Sequence, residues 1–497
     1  MRLFCTNQSR HSQNCWPFVN RFNYGYRVSQ RVPTLRVDPF EGKAHIGFAR
    51  REITPPFGIY GRMWGASNHD KSEGTHKGLY VTAMALRSQK GELPALLVGI
   101  DAASLGDLAG REGLEIRAAV LEALEIPPSH LMLACSHTHS SPWAARSRAH
   151  MPGGDLIEPY IAQVISAIIS SCQEAINSLD DAILTFATGS CNLASNRDMI
   201  DPHNPSRYLT GFNPDVEADD TVMVGRVVRQ RDQKIIGTLV NYACHPTTLG
   251  WDNKLISPDY VGSMREVIES ATDFAPTLFL QGASGELGPA HQYVGDVDVA
   301  DHHGRQLGYA ALAALAGMNP PGKRLEFIKA VESGAPLGYW EPRDYEVPGE
   351  VAVVAEETLL PTKSWPTMEE LDEAIAHERD SFARERLFRK KSIAALMGTN
   401  SGITLTSYGW RIGNILFVGA QCEVYSQWQI KLREKYSEYG VIAITCVDYE
   451  AVGYVVPDEL HDLNLYQAWQ PPFGKGVMQA LLAGSESALN KTLGRGR

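Results

Sequence analysis

The chain has 497 residues, 44% of them hydrophobic and 21% charged, with a formal net charge of −11. That balance is ordinary for a folded protein with a sizeable core, and it argues against a nucleic-acid partner, which would call for a basic patch. No run reaches the roughly 18–20 continuous apolar residues of a membrane-spanning helix, and the length suits either one large α/β enzyme domain or a few average ones.

Six arginines precede the first acidic residue, Asp38. With no amphipathic face and no apolar core, this start reads as a poorly ordered extension over residues 1–40 rather than a transit or signal peptide. Cytoplasm is the expected location. From Ala44 the sequence turns globular. Strands are predicted at 45–49, 79–86 and 95–100, followed by a helix over 111–125 that Pro127 and Pro128 end. A strand follows at 131–134, and then a long amphipathic helix at 158–179. Strands at 183–187 and 222–228 flank a loop rich in Asn, Asp and Pro. The apolar run 235–244 ends at His245.

A helix over 260–272, a strand over 277–281 and a helix over 298–316 come next. Residues 368–396 are helical and so highly charged that they read as a solvated surface helix. Strands at 415–418 and 441–444 enclose a helix beginning near Ser426. The alternation predicts an α/β fold, a layered mixed sheet flanked by helices, as one domain over 41–497. The eight cysteines contain no Cys-x-x-Cys pair and read as reduced, buried thiols.

Several polar groups share one context, just past the end of an apolar strand. They are His137 and His139 in CSHTHSSP (135–142), His245 in NYACHP (241–246), the turn around Glu286 in GELGP (285–289), and Glu423. Two histidines one residue apart point to the same side of an extended strand, and neutral imidazole is the commonest transition-metal ligand. Open α/β sheets place their sites at strand ends. A catalytic zinc needs about three protein ligands and an open position, which His137, His245 and Glu423 would supply. The same residues also have plainer readings. His245 can bond a carbonyl, Glu423 can support a helix dipole, Arg197 can form a surface ion pair, and Glu286 can cap the next segment. Asp101 and Asp259 read as turn-stabilising.

In chain order, four segments resemble the neutral/alkaline (non-lysosomal) ceramidase family. IGFARREITPPFG (46–58) is similar to its opening, and SHTHSSP (136–142) to its Thr-His-Thr-His-Ser-Gly-Pro segment. NYACHP resembles its second histidine strand, and FLQGASGELGP (279–289) its Gly-Asp-Val-Ser-Pro turn. The resemblance implies a ceramidase-like catalytic domain with zinc held by His137, His245, Glu423 and a tyrosine. Tyr454 is the preferred match for that tyrosine, with Tyr449 the alternative. It also implies that His139 lies beside the reacting group and that Arg197 binds the substrate's polar atoms.

Two departures from the family shape the expected function. Aligning the turn on Gly285 and Pro289 puts Gly288 where the family carries a serine. Zinc-activated water is then the expected nucleophile, with His139 or Glu286 as general base and Arg197 stabilising an oxyanion. Ceramidases also carry an immunoglobulin-like domain that this sequence is expected to stop short of, so ceramide is not the expected substrate. The reading is a zinc-dependent hydrolase cleaving an amide or related bond in a small or amphiphilic molecule. Two alternatives stay open: a non-catalytic metal- or ligand-binding protein on the same scaffold, favoured by Gly288, and a hydrolase of carbohydrate derivatives. The latter would use the polar loops around Asn196 and Trp251. Oligomeric state is not readable.

Overall fold

Strands buried on both faces set the architecture. Every residue of Ala95–Ile100 and Leu131–Cys135 is buried, so these strands read as continuous apolar runs rather than alternating ones. Leu96 and Val98 join a cluster with Val120 and Ile161 of the helices, while Leu97 joins Phe417 and Ile442 of a second sheet. The computed structural model describes residues 33–88, 91–107, 111–397, 402–449 and 452–495.

The larger sheet has eight strands: β1 Phe40–Glu52, β2 Tyr80–Arg87, β3 Ala95–Ile100, β4 Leu131–Cys135, β5 Asp180–Ser190, β6 Thr221–Arg229, β7 Ile235–Tyr242 and β8 Thr277–Gln281. Their order is β8-β7-β6-β5-β1-β2-β3-β4. The centre is antiparallel, but the outermost pairs, β7–β8 and β3–β4, are parallel. The second sheet has four strands: β9 Val351–Pro361, β10 Gly402–Ile412, β11 Ile415–Ala420 and β12 Gly440–Ile444, in that order. Trp410, Phe417, Ile442 and Ile444 pack between the sheets against Ile46, Leu97, Met132 and Phe186.

Helices cover the outer faces. α1 Glu112–Leu124 and α2 Ile157–Asn177 lie outside the β1–β4 half, and α3 Tyr260–Ser270 with α4 Val297–Ala316 lie against β6, β7 and β8. A hairpin of α5 Met368–His377 and α6 Ser381–Met397 is inserted between β9 and β10. α7 Gln427–Lys435, the short α8 Tyr466–Trp469 and α9 Val477–Thr492 follow, with α9 packed on β9 to β11. The mixed α/β reading therefore holds, with two large sheets face to face where one layered sheet was expected. The sequence reading missed β9 and β10, whose paired register runs from Val351↔Ile412 to Pro361↔Gly402. It also missed the hairpin of Lys323–Glu332 and Pro336–Asp344. Arg36–Val37 pair with that hairpin, while residues 1–32 of the expected extension lie outside the described residues. The six described free cysteines are all buried. Among the described residues no helix is long and apolar enough to cross a membrane.

The larger sheet curls until its two edges meet. A Cβ on Gly99 of β3 would lie 2.5 Å from Leu278 Cδ1 and 3.1 Å from the Phe279 carbonyl oxygen of β8. The segment after β12 stitches the edges together. Thr445 N donates to Gln281 O at 2.8 Å, Cys446 O accepts from Cys135 N at 3.1 Å, and Asp448 N donates to Leu133 O at 2.7 Å. Asn241 of β7 adds a side-chain tie, its Nδ2 donating to Ala443 O at 2.7 Å and Leu280 O at 3.0 Å. The C-terminal ends of β4, β7, β8 and β11 are thereby gathered at one point. Gly99→Val is expected to lower stability by about 1–3 kcal/mol through overpacking, whereas Gly317→Ala, with only ordinary contacts to meet, should be near neutral. Urea denaturation of the two variants checks this.

Candidate metal centre and cavity

Beyond Cys135 the chain leaves β4 in a kink, with His137 at φ 66°. That left-handed conformation costs a non-glycine residue about 1–2 kcal/mol. His137 N donates to Ala102 O at 2.8 Å, and Thr138 Oγ1 donates to Ser257 O at 2.8 Å, which pins the kink. The two histidines therefore do not converge by strand alternation, as their spacing suggested; the turn brings them together. Their rings lie 4.9 Å apart and perpendicular, and the His245 ring is 4.9 Å from that of His137. His137, His139 and His245 form a group of nitrogens close enough to share one ion.

The hydrogen bonds of the outer ring nitrogens decide what the inner ones can do. His137 Nδ1 donates to Ala103 O at 2.8 Å, and His245 Nδ1 donates to Ser284 O at 2.7 Å. With Nδ1 protonated, a neutral imidazole offers a lone pair at Nε2, the arrangement that backbone carbonyls impose on metal-ligating histidines. Both Nε2 atoms lie 3.1 Å from Glu423 Oε2. Three acceptors then converge, and positive charge meets them from the Arg197 guanidinium at His245 Nε2 and from a proton or a metal ion shared with Glu423. Burial alone would raise the Glu423 pKa, but His137 and His245 hold it well below the usual range. For His245, burial and Arg197 push the pKa down to about 3. For His137, burial pulls down while Cys446 and Glu423 more than reverse it. Two oriented nitrogens and an ionised carboxylate suit zinc.

Two tyrosines border the carboxylate. Tyr449 OH donates to Glu423 Oε1. Tyr454 stands opposite Glu423 in strand register, its ring stacked near that of His245 at 6.3 Å. Arg197 is buried beside them. Its Nη2 reaches His245 Nε2 at 3.2 Å, Gly285 O at 2.7 Å and Tyr454 OH at 3.4 Å. His139 Nε2 lies 3.4 Å from His137 Nε2, and burial followed by its two histidine neighbours keeps His139 neutral. His137, His139, His245, Arg197, Glu423 and Tyr454 are thus brought together.

Glu286 is not brought into that group. Its carboxylate turns to Ser426 at the start of α7, accepting from Ser426 N at 2.9 and 3.0 Å and from its hydroxyl. Gly288 faces Gln292, whose Oε1 lies 3.0 Å from where a Cβ would stand. Ser284 Oγ lies 3.2 Å from His245 Nδ1, on the side of the ring turned away from Glu423. Asp101 accepts from Tyr80 N and Arg265, and Asp259 caps α3, both structural placements.

His137, His139, Glu423, Tyr449 and Tyr454 line a cavity of about 590 Å3 whose surface is largely apolar, with His245 and Arg197 buried behind them. Met63, Trp143, Met151, Met368, Phe388 and Ile393 contribute to its walls. α6, read from its charges as a solvated surface helix, is one of those walls. Its polar residues are used inward as well as outward. Arg148 pairs with Glu385 at 2.7 Å, and the guanidiniums of Arg148 and Arg389 lie 4.6 and 5.6 Å from the Trp143 ring. Nothing in the charge pattern marked these residues, because a wall helix and a solvated helix carry similar charges.

The fold is that of the ceramidases. The chain is similar to the crystal structure of neutral ceramidase from Pseudomonas aeruginosa, with a TM-score of 0.63, 15% identity, and coverage of 93% of this chain and 76% of that one. It is also similar to a ceramidase complexed with C2, with a TM-score of 0.59, 16% identity, and coverage of 92% and 75%. Residues 45–282 match the family model described as neutral/alkaline non-lysosomal ceramidase, N-terminal.

Glu286 supplies a pH test of the turn. Burial raises its carboxyl from 4.5 to about 7, against the Ser426 hydrogen bonds that oppose the rise. The fold thus favours the protonated form. Its contribution is complete below pH 4.5 and is lost as pH rises through 7, about 3 kcal/mol in all. Glu286→Gln should flatten the stability profile by that amount between pH 4.5 and 7, measured by denaturant titration at each pH.

Proposed function

We propose that this chain is a zinc-dependent hydrolase that cleaves an amide bond in an amphiphilic molecule. The observation that carries the reading is the pair of backbone-oriented imidazoles meeting one buried carboxylate at the floor of an apolar cavity. His137, His245 and Glu423 would hold the metal, with Tyr454 or Tyr449 completing the set. Tyr449 has the hydroxyl in contact with Glu423, and Tyr454 the position opposite it in register. Bound zinc supplies Lewis acidity, acidifying water and polarising a carbonyl.

The chain's own groups do the rest. His139 lines the cavity and is neutral, so it can take the proton of an attacking water and return it to the departing nitrogen. Arg197 stays cationic when buried, held so by neighbouring Tyr454, Tyr293 and Glu423 against the cost of desolvation. Its guanidinium sits behind the cavity lining, bonded to His245 Nε2 and Tyr454 OH, and lends positive charge to the site where negative charge grows on the substrate oxygen. The apolar walls exclude bulk water and accept a hydrocarbon portion. Asn196 and Trp251 do not line the cavity, which favours an amphiphile over a sugar derivative.

Purified protein is expected to carry close to one zinc per chain by elemental analysis, and His137→Ala/His245→Ala to carry almost none. Protein without zinc, or a double variant with unchanged content, would overturn the proposal. His139→Gln should keep its zinc yet lose about 10²–10⁴-fold in kcat on a soluble N-acyl amide. Zinc present with no turnover of any amide, and tight binding of a ligand instead, would identify a non-catalytic binding protein.

A further inference from the structure

The main cavity has an annex. A side cleft of about 180 Å3 adjoins it, the two sharing Glu385, Arg389, Tyr466 and Gln470. Arg386 and Lys390 of α6 complete the cationic side of the cleft. Three cations thus face a single carboxylate, and that carboxylate is already engaged. Glu385 receives both terminal nitrogens of Arg148, at 2.7 and 3.5 Å, and Arg389 Nε at 3.5 Å.

Arg386 and Lys390 have no ion pair among the described residues; each rests on an indole. The Arg386 guanidinium lies 5.4 Å from the Trp469 ring and Lys390 Nζ lies 5.8 Å from that of Trp365. Stacking of this kind fixes a cation without neutralising it. A protein whose net charge is −11 therefore concentrates unpaired positive charge at one place, beside its candidate metal centre. A neutral headgroup in the cleft would leave that charge uncompensated. An anion would compensate it, since guanidiniums bind planar or tetrahedral oxyanions through paired hydrogen bonds.

We infer that the cleft binds the anionic headgroup of the substrate, and that the substrate class is acidic N-acyl amphiphiles. The hydrocarbon chain lies along Met63, Met151 and Phe388, and the carboxylate or phosphate enters between Arg386, Arg389 and Lys390. This deepens the hydrolase reading and rests on it for the word substrate; the anion site itself stands on the cleft alone.

The test uses two readouts on full-length protein and on Arg386→Gln/Lys390→Gln, a change at the cleft rim that leaves the metal-facing residues intact. The first is calorimetric binding of dodecyl phosphate and of dodecanol to protein stripped of metal. Dodecyl phosphate is expected to bind at least about tenfold more tightly than dodecanol, and the double variant to remove most of that difference. The second is turnover by zinc-loaded protein of N-dodecanoylglycine, N-dodecanoyl phosphoethanolamine and the neutral N-dodecanoylethanolamine. The variant should raise KM for the acidic substrates about tenfold with kcat little changed, and leave the neutral one unaffected. The two acidic substrates show whether carboxylate or phosphate is preferred. Equal binding of dodecyl phosphate and dodecanol, or an unchanged dodecyl phosphate affinity in the variant, overturns the inference. Phosphate-selective binding without turnover of any amide supports the cleft and sinks the hydrolase reading.

Discussion

One buried carboxylate governs the centre of this molecule. Glu423 lies between two imidazoles whose outer nitrogens are committed to backbone carbonyls. Such a charge is stable in the interior only when paired and hydrogen-bonded, so the surrounding backbone must hold its partners in place. The carboxylate and its two partners come from three separate strand ends, β11, β4 and β7, and the curl of the larger sheet against the second sheet delivers them to one point. The close approach at Gly99 and the stitches through Thr445, Cys446 and Asp448 are the local means. Core packing and site chemistry are the same constraint seen at two distances.

The parts of the fold legible in the sequence are those with unambiguous periodicity. α1 to α4 fall within a few residues of their predicted spans because each has an apolar face and a clear stop. β3 and β4 were legible as buried runs. β9 and β10 were not, since β9 mixes Glu356 and Glu357 into a half-exposed strand and the partner lies forty residues away, beyond a helical insertion. Local pattern carries no information about such pairing.

The site divides the same way. Histidines and an acid just past strand ends could be read because the α/β architecture puts strand ends together, although the kink at His137 replaced the extended geometry first assumed for it. The capping contact of Glu286 depends on where α7 begins in space, which its own neighbours in sequence do not reveal. The wall residues Trp143, Arg148, Phe388 and Arg389 were invisible for a further reason. They come from a loop and an insertion that meet only in the folded chain.

The α5–α6 hairpin joins two strands that pair along their whole length, from Val351↔Ile412 to Pro361↔Gly402. Its ends are therefore clamped together by the sheet whatever the hairpin itself contains. Loop-closure entropy changes only slowly with the length of such an insertion, so the hairpin can be lengthened, shortened or recharged while the strand ends that carry Glu423 and the histidines stay where they are. The α6 wall of the cavity and the histidine–glutamate cluster are thus carried by separable parts of the chain, and the one can drift without rebuilding the other.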